Sequence, residues 1–178
     1  MDAIFERKSY RGSYLPDPVP RTDLTTLLEA GLSAPSGCNK QTTSLIAVDD
    51  PALLKEIFSI LDLPDCKSAP AMICVLTKRI VAYRDGFGRE RCFCVQDYAA
   101  AIENILVEAV QLGYQSCWIE GHVTDADEQG KRIAALLGVP DYYELVCVLP
   151  VGKAAEPLKS VQKRPFEERA WFNRFGED

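Results

Sequence analysis

Histidine is nearly missing from this chain: His122 is the single one among 178 residues. No second imidazole exists to build a metal site, and no partner group is identifiable for a catalytic pair. There is no Walker loop, GxGxxG, HExxH, GxSxG or CxxC, so the commonest nucleotide-hydrolysing, Rossmann, zinc-protease, esterase and zinc-ribbon readings fall away. Long hydrophobic runs are lacking too. Stretches such as AMICVL are far too short to span a bilayer, and MDAIFERKSY has no apolar leader core. The expectation is a soluble, cytoplasmic protein with no membrane partner. A positive excess is also absent: Lys and Arg total 20 against 26 Asp and Glu, a formal net charge of −6. That argues against a general nucleic-acid binder, which needs a basic stripe to displace counterions.

Cysteine, by contrast, is plentiful. Cys38, Cys66, Cys74, Cys92, Cys94, Cys117 and Cys147 are scattered and odd in number. Three of them (Cys74, Cys117 and Cys147) sit in apolar, strand-like runs, where cysteine acts as a small hydrophobe. Cys92-Phe93-Cys94 cannot complete a zinc site alone. Without a secretory signal this usage suits a reducing compartment rather than a disulfide framework. The length and a 47% hydrophobic content fit one domain over residues 1–178.

Along the chain, residues 2–7 read as a short helix and GSYLPDPVP as an extended connector. Leu24, Leu27, Leu28, Gly31 and Leu32 keep a helical period that stops before Pro35. SLIAVD is a strand. Asp50-Pro51 marks a helix start, with Leu53, Leu54, Ile57, Phe58 and Leu61 as its buried stripe. AMICVLT is a second strand, and the charged residues 79–91 form an exposed excursion. A long helix runs from about Cys94 to Leu112 and stops at Gly113. Its apolar side is Ala99, Ile102, Ile105, Leu106 and Ala109, and Ala99-Ala100-Ala101 permits close approach by another helix. SCWI is a third strand. Asp125 or Asp127 caps a helix through Leu137, and ELVCVLPVG is a fourth strand. Helices therefore pack on a sheet. Residues 153–178 have little periodicity but hold Phe166, Trp171, Phe172 and Phe175, and a partner subunit is one place to bury them.

Five groups are candidates for chemistry. Arg7, Lys8, Ser9 and Arg11 supply forked donors, a point cation and a hydroxyl, which suits a phosphate dianion. The same residues also fit a solvated helix end. APSGCNKQT, residues 34–42, is a loop of turn formers that can offer amides and short polar groups to a flat ligand, or can be a plain connection. CWIEGH, residues 117–122, runs from a strand into Gly121, where backbone can approach a ligand closely. Lys163 and Arg164 are an exposed basic pair, and Cys92 and Cys94 read as structural.

In order, RKSYR, APSGCNKQ, QDYAAAIENILVEAVQLGYQSCWIEG, PVGKAAEP and KRP resemble the nitroreductase family of FMN-dependent oxidoreductases over nearly the whole chain. The resemblance implies an α+β homodimer with a mixed, mainly antiparallel sheet flanked by helices. The tail from 153 would wrap the partner subunit, and FMN would lie between subunits. It further implies that Arg7, Lys8, Ser9, Arg11, Lys163 and Arg164 hold the FMN phosphate and ribityl chain. Pro35, Ser36, Gly37, Asn39 and Gln41 would reach the flavin from the other subunit, and Ile119, Glu120 and Gly121 would face its ring. NADH or NADPH is the implied donor, and a nitroaromatic or quinone the implied acceptor. No side chain is expected as a proton donor. A flavin-fragmenting or dehalogenating member, and a non-catalytic flavin-sensing dimer, stand as alternatives. Three departures from the family pattern bear on substrate: Thr42 and Thr43 replace a frequent proline and aromatic, Glu120 replaces a glycine, and His122 stands at a commonly apolar position.

Overall fold

A computed structural model of the chain describes residues 2–61, 68–124, 128–159 and 161–176. Helices α1 (Ala3–Glu6) and α2 (Arg21–Leu32) precede strand β1 (Thr43–Val48), and α3 (Pro51–Leu61) leads towards β2 (Ala71–Thr77). A small hairpin, β3 (Tyr83–Arg84) and β4 (Glu90–Arg91), comes next, followed by the long α4 (Cys94–Gln111). The short α5 (Gly121–Thr124), α6 (Gln129–Leu136) and β5 (Glu144–Val151) complete the order. The cap expected at Asp125 or Asp127, and Cys66, lie outside the described residues.

The main sheet runs β1-β2-β5, antiparallel throughout. Strand β2 is buried along its whole length because helices cover both of its faces. Met72, Cys74 and Leu76 point into a cluster with Ile57, Phe58 and Leu61 of α3 and Ile133 of α6. Ala71, Ile73 and Val75 point the other way, into a cluster with Leu24 and Leu27 of α2 and Ile102, Ile105 and Leu106 of α4. Such two-sided burial is why AMICVL reads as a continuous apolar run rather than an alternating one. A bulge at Val75/Leu76, where the partner register steps from Cys147 to Leu145, leaves Val146 as the extra residue.

Local chemistry sets the helix ends. Asp50 Oδ1 accepts the Ala52 and Leu53 amides, both at 2.9 Å, and so caps α3. At the end of α4, Gly113 takes φ +82°. The Tyr114 N–H donates to Ala109 O and the Gly113 N–H to Val110 O, the paired bonds of a Schellman stop. Gly31 marks the tightest packing of α2: a Cβ there would lie 2.8 Å from Ile105 Cδ1 and 2.9 Å from Leu45 Cδ1. Close approach therefore occurs at Gly31. Leu32, expected on the buried face, is 61% exposed.

The stretch SCWI differs from expectation. It is not a continuous strand; residues 115–119 pair with β5 and the residue just after it through isolated bridges, Ile119 with Val148 and Gln115 with Gly152. The N–H groups of Val148 and Gly152 point at this segment, so the N–H of residue 150 would as well. Residue 150 is proline, which has no such donor, and the ladder breaks between the two bridges. On its other side the segment meets the N-terminal chain through a parallel bridge between Ser9 and Ser116.

Candidate functional site

That parallel bridge brings together two of the groups singled out in the sequence. The chain leaves α1 at Arg7 and runs extended, and the Tyr10 N–H donates to Ser116 O at 2.9 Å. The basic segment is thus strapped to the stretch that ends at Trp118, Ile119 and Glu120. Tyr10 is buried and acts as the anchor: its hydroxyl donates to Ser13 O, accepts the Glu156 N–H at 3.2 Å, and its ring meets Tyr14 edge-on. Leu15 N–H also donates to Lys153 O, so the start of the tail lies beside the basic segment. Arg7 Nε is 2.9 Å from Glu103 Oε1 of α4, a half-exposed ion pair. Lys8 is half-buried, while Ser9 and Arg11 are exposed. The Arg11 charge and the Ser9 hydroxyl both act on the Cys117 thiol, although burial outweighs them and pushes that thiol up.

The loop 35–42 is held in a demanding conformation. Cys38, Asn39 and Gln41 all adopt positive φ, at 51°, 53° and 49°, a region that side-chain-bearing residues enter at a cost. Internal bonds support it: Asn39 N–H donates to Ser36 O, and Gln41 N–H to Ser36 Oγ at 3.0 Å. Gly37 backs onto Phe93, where a Cβ would lie 2.3 Å from the ring. Pro35, Asn39 and Gln41 remain exposed, with Ser36 and Gly37 half-buried. Asp97 clamps both ends, with Oδ1 accepting Gly37 N–H at 2.8 Å and Oδ2 accepting the Thr42 hydroxyl at 2.7 Å.

Glu120 is held from two sides. Tyr98 Oη donates to its Oε1 and Trp118 Nε1 to its Oε2, each at 2.8 Å. Burial first, and then this bond, drive the Tyr98 phenol well above its ordinary value. Ile119 packs its side chain into the core, and Gly121 opens α5 exposed. Lys163 and Arg164 lie exposed in the tail, where Arg164 Nε pairs with Glu168 at 2.8 Å. Cys92 and Cys94 are half-buried, and Cys38 is exposed. Among the described residues no cluster of metal-ligating side chains exists, and no helix is long and apolar enough to cross a membrane.

The sequence patterns do not single out Asp97 or Tyr98, and they mark Thr42 and Trp118 without the roles that the structure gives them, a bond to Asp97 and a bond to Glu120. A signal for Asp97 was present. It lies four residues before Ala101 and eight before Ile105, both buried, so helical period places a carboxylate on the buried face of α4. A charge there requires partners, and the neighbouring loop supplies them.

The fold is an α+β scaffold in which a basic segment is strapped to the stretch that leads into a carboxylate-bearing turn. The nitroreductase family model matches residues 4–62 and 61–153, and the chain belongs to that family. A protein of Archaeoglobus fulgidus, provisionally named an NADH dehydrogenase/NAD(P)H nitroreductase, is 32% identical over 152 residues, covering 84% of this chain and 82% of its own. An FMN-dependent nitroreductase from Clostridium difficile R20291 superimposes with TM-score 0.78 at 26% identity, covering 98% of this chain and 99% of the other. A nitroreductase with bound FMN from Bacteroides fragilis NCTC 9343 gives 0.72 at 28%, covering 91% and 92%.

Proposed function

We propose that the protein is an FMN-dependent, NAD(P)H-using oxidoreductase acting as a homodimer. The observation that supports this reading is the parallel Ser9–Ser116 bridge, which lays the basic segment alongside the stretch that leads into the Trp118–Gly121 turn, in a member of the nitroreductase family. The donor set fits the cofactor. Guanidinium forks, an ammonium and a hydroxyl match a phosphate dianion, and the adjoining turn offers backbone at Gly121 to a flat ring. Bound FMN supplies transfer of a hydride from NADH or NADPH, through its N5, to an organic acceptor such as a nitroaromatic or quinone in ping-pong order.

The protein's own residues bind and orient. Arg11, Lys8 and Ser9 hold the phosphate together with Lys163 and Arg164, and Arg7 contributes while braced by Glu103. Pro35, Ser36, Gly37, Asn39 and Gln41 reach the flavin of the partner subunit from their clamped loop. Ile119 supports the turn from behind, since its side chain is committed to the core and its N–H and C=O are both bonded to Val148. Glu120 is fixed by Tyr98 and Trp118 beside the ring, where it shapes the pocket in which donor and acceptor stack in turn. The dimer rests on apolar surface that one chain leaves open: Ile4, Phe5, Phe166, Phe172 and Phe175 are each at least 62% exposed.

The test is titration of the flavin-stripped protein with FMN, followed by flavin fluorescence. Replacing both Arg11 and Arg164 by alanine is expected to weaken FMN binding by about a hundredfold, roughly 1–2 kcal/mol for each charge-assisted hydrogen bond removed. Unchanged affinity in that variant would remove the phosphate assignment.

A further inference from the structure

We infer that Asp97 is a positioning residue for the flavin: from the first turn of α4 it sets the shape of the 36–42 loop, and through that loop the hold on the cofactor. The inference rests on the reading just proposed for that loop.

Asp97 is only 4% exposed, and a carboxylate so buried costs free energy unless its oxygens are satisfied. Both are, by donors from the two ends of one loop: the Gly37 amide at 2.8 Å and the Thr42 hydroxyl at 2.7 Å. The first turn of an 18-residue helix also favours negative charge, through the unpaired amides and the helix dipole. The carboxylate is therefore fixed by the scaffold, and the loop is what conforms to it. Between the two clamped ends, three non-glycine residues hold positive φ, a conformation that persists only where surrounding contacts over-determine it. Phe93 backs Gly37, and Ser36 ties down Gln41; Asp97 supplies the remaining restraint. The exposed side chains of Asn39 and Gln41 are then presented in a fixed relation, with Gln41 Nε2 donating to Asn39 Oδ1 at 3.3 Å. A loop shaped in advance loses less conformational freedom when a ligand binds, which strengthens binding.

The experiment uses the full-length protein and the variants Asp97→Ala, Asp97→Asn, Thr42→Val and Thr42→Ser. Hydrogen exchange of the 36–42 amides, read by mass spectrometry without FMN, reports the loop. The dissociation constant for FMN and the visible spectrum of the bound flavin report the site. Thermal unfolding separates local from global loss, and Asp97→Asn and Thr42→Val keep the test available where Asp97→Ala fails to fold. Expected results are loop exchange about tenfold faster and FMN bound about tenfold more weakly in Asp97→Ala. Thr42→Val should fall in the same direction by a smaller factor, and Thr42→Ser, which keeps the hydroxyl, should restore parental values. Loop exchange equal to the parent in the folded Asp97 variants would overturn the assignment. Faster exchange with unchanged FMN affinity would also overturn it, by showing that Asp97 clamps a loop the flavin does not use.

Discussion

Tyr98 and Tyr114 each donate a phenolic hydrogen bond to a carboxylate, Glu120 in one case and Asp23 in the other, the latter at 2.6 Å. Burial, and then the bond to Asp23, push the Tyr114 phenol up to about 12; Tyr98 moves in the same direction for the same reasons. An unfolded chain titrates its tyrosines near 10. Below pH 10 both states keep these protons and the contribution is whole. As pH rises from about 10 towards 12 the unfolded chain loses protons that the folded one retains, and stability falls. The melting temperature should therefore drop steeply over that range, and less steeply in Tyr114→Phe. Tyr98→Phe should in addition shift the visible spectrum of bound flavin, by freeing one oxygen of Glu120. At this scale the sequence was partly legible. The cations at 7, 8 and 11 stood out because they cluster against an acidic background. Asp97 did not, because its partners are a glycine amide and a threonine 60 and 55 residues away, and no local spacing reveals them.

Elements were the most legible scale, wherever local signals and burial agree. Asp50-Pro51 starts α3 and Gly113 stops α4 for the reasons their residue types suggest. The apolar stripe of α2 holds at Leu24 and Leu27 and fails at Leu32, the last residue of the helix, one position beyond the close approach at Gly31. Leu27→Ala should cost about 2–5 kcal/mol in denaturant unfolding, as expected for a fully buried leucine. Gly31→Val should also destabilise, by about 1–3 kcal/mol, because its new atoms collide with Ile105 and Leu45. The broken pairing of 115–119 depends on Pro150, far along the chain, and composition within SCWI carries no trace of it. The tail is as aperiodic as its composition suggests, and Phe166, Phe172 and Phe175 stay exposed in the single chain.

At the scale of the whole molecule, the function proposed above draws its site from two subunits. The aromatic tail and the outer face of α1 are open in the single chain, while the clamped loop and the Glu120 turn are both anchored on the first turn of α4, by the consecutive residues Asp97 and Tyr98. Removing residues 157–178 should lower the mass measured by light scattering from dimer to monomer. It should also weaken FMN retention by about tenfold or more, since Lys163 and Arg164 leave with it. A truncated chain that stays dimeric with full flavin affinity would place the interface and the phosphate grip elsewhere. The most direct measurement is the visible spectrum of the FMN-loaded protein under anaerobic conditions, before and after addition of NADH and then NADPH. The expected result is a yellow flavin spectrum that bleaches with at least one of the two donors and returns when a quinone or nitroaromatic is added. A protein that takes up no FMN, or one whose bound flavin stays oxidised with both donors, would contradict the proposed oxidoreductase function.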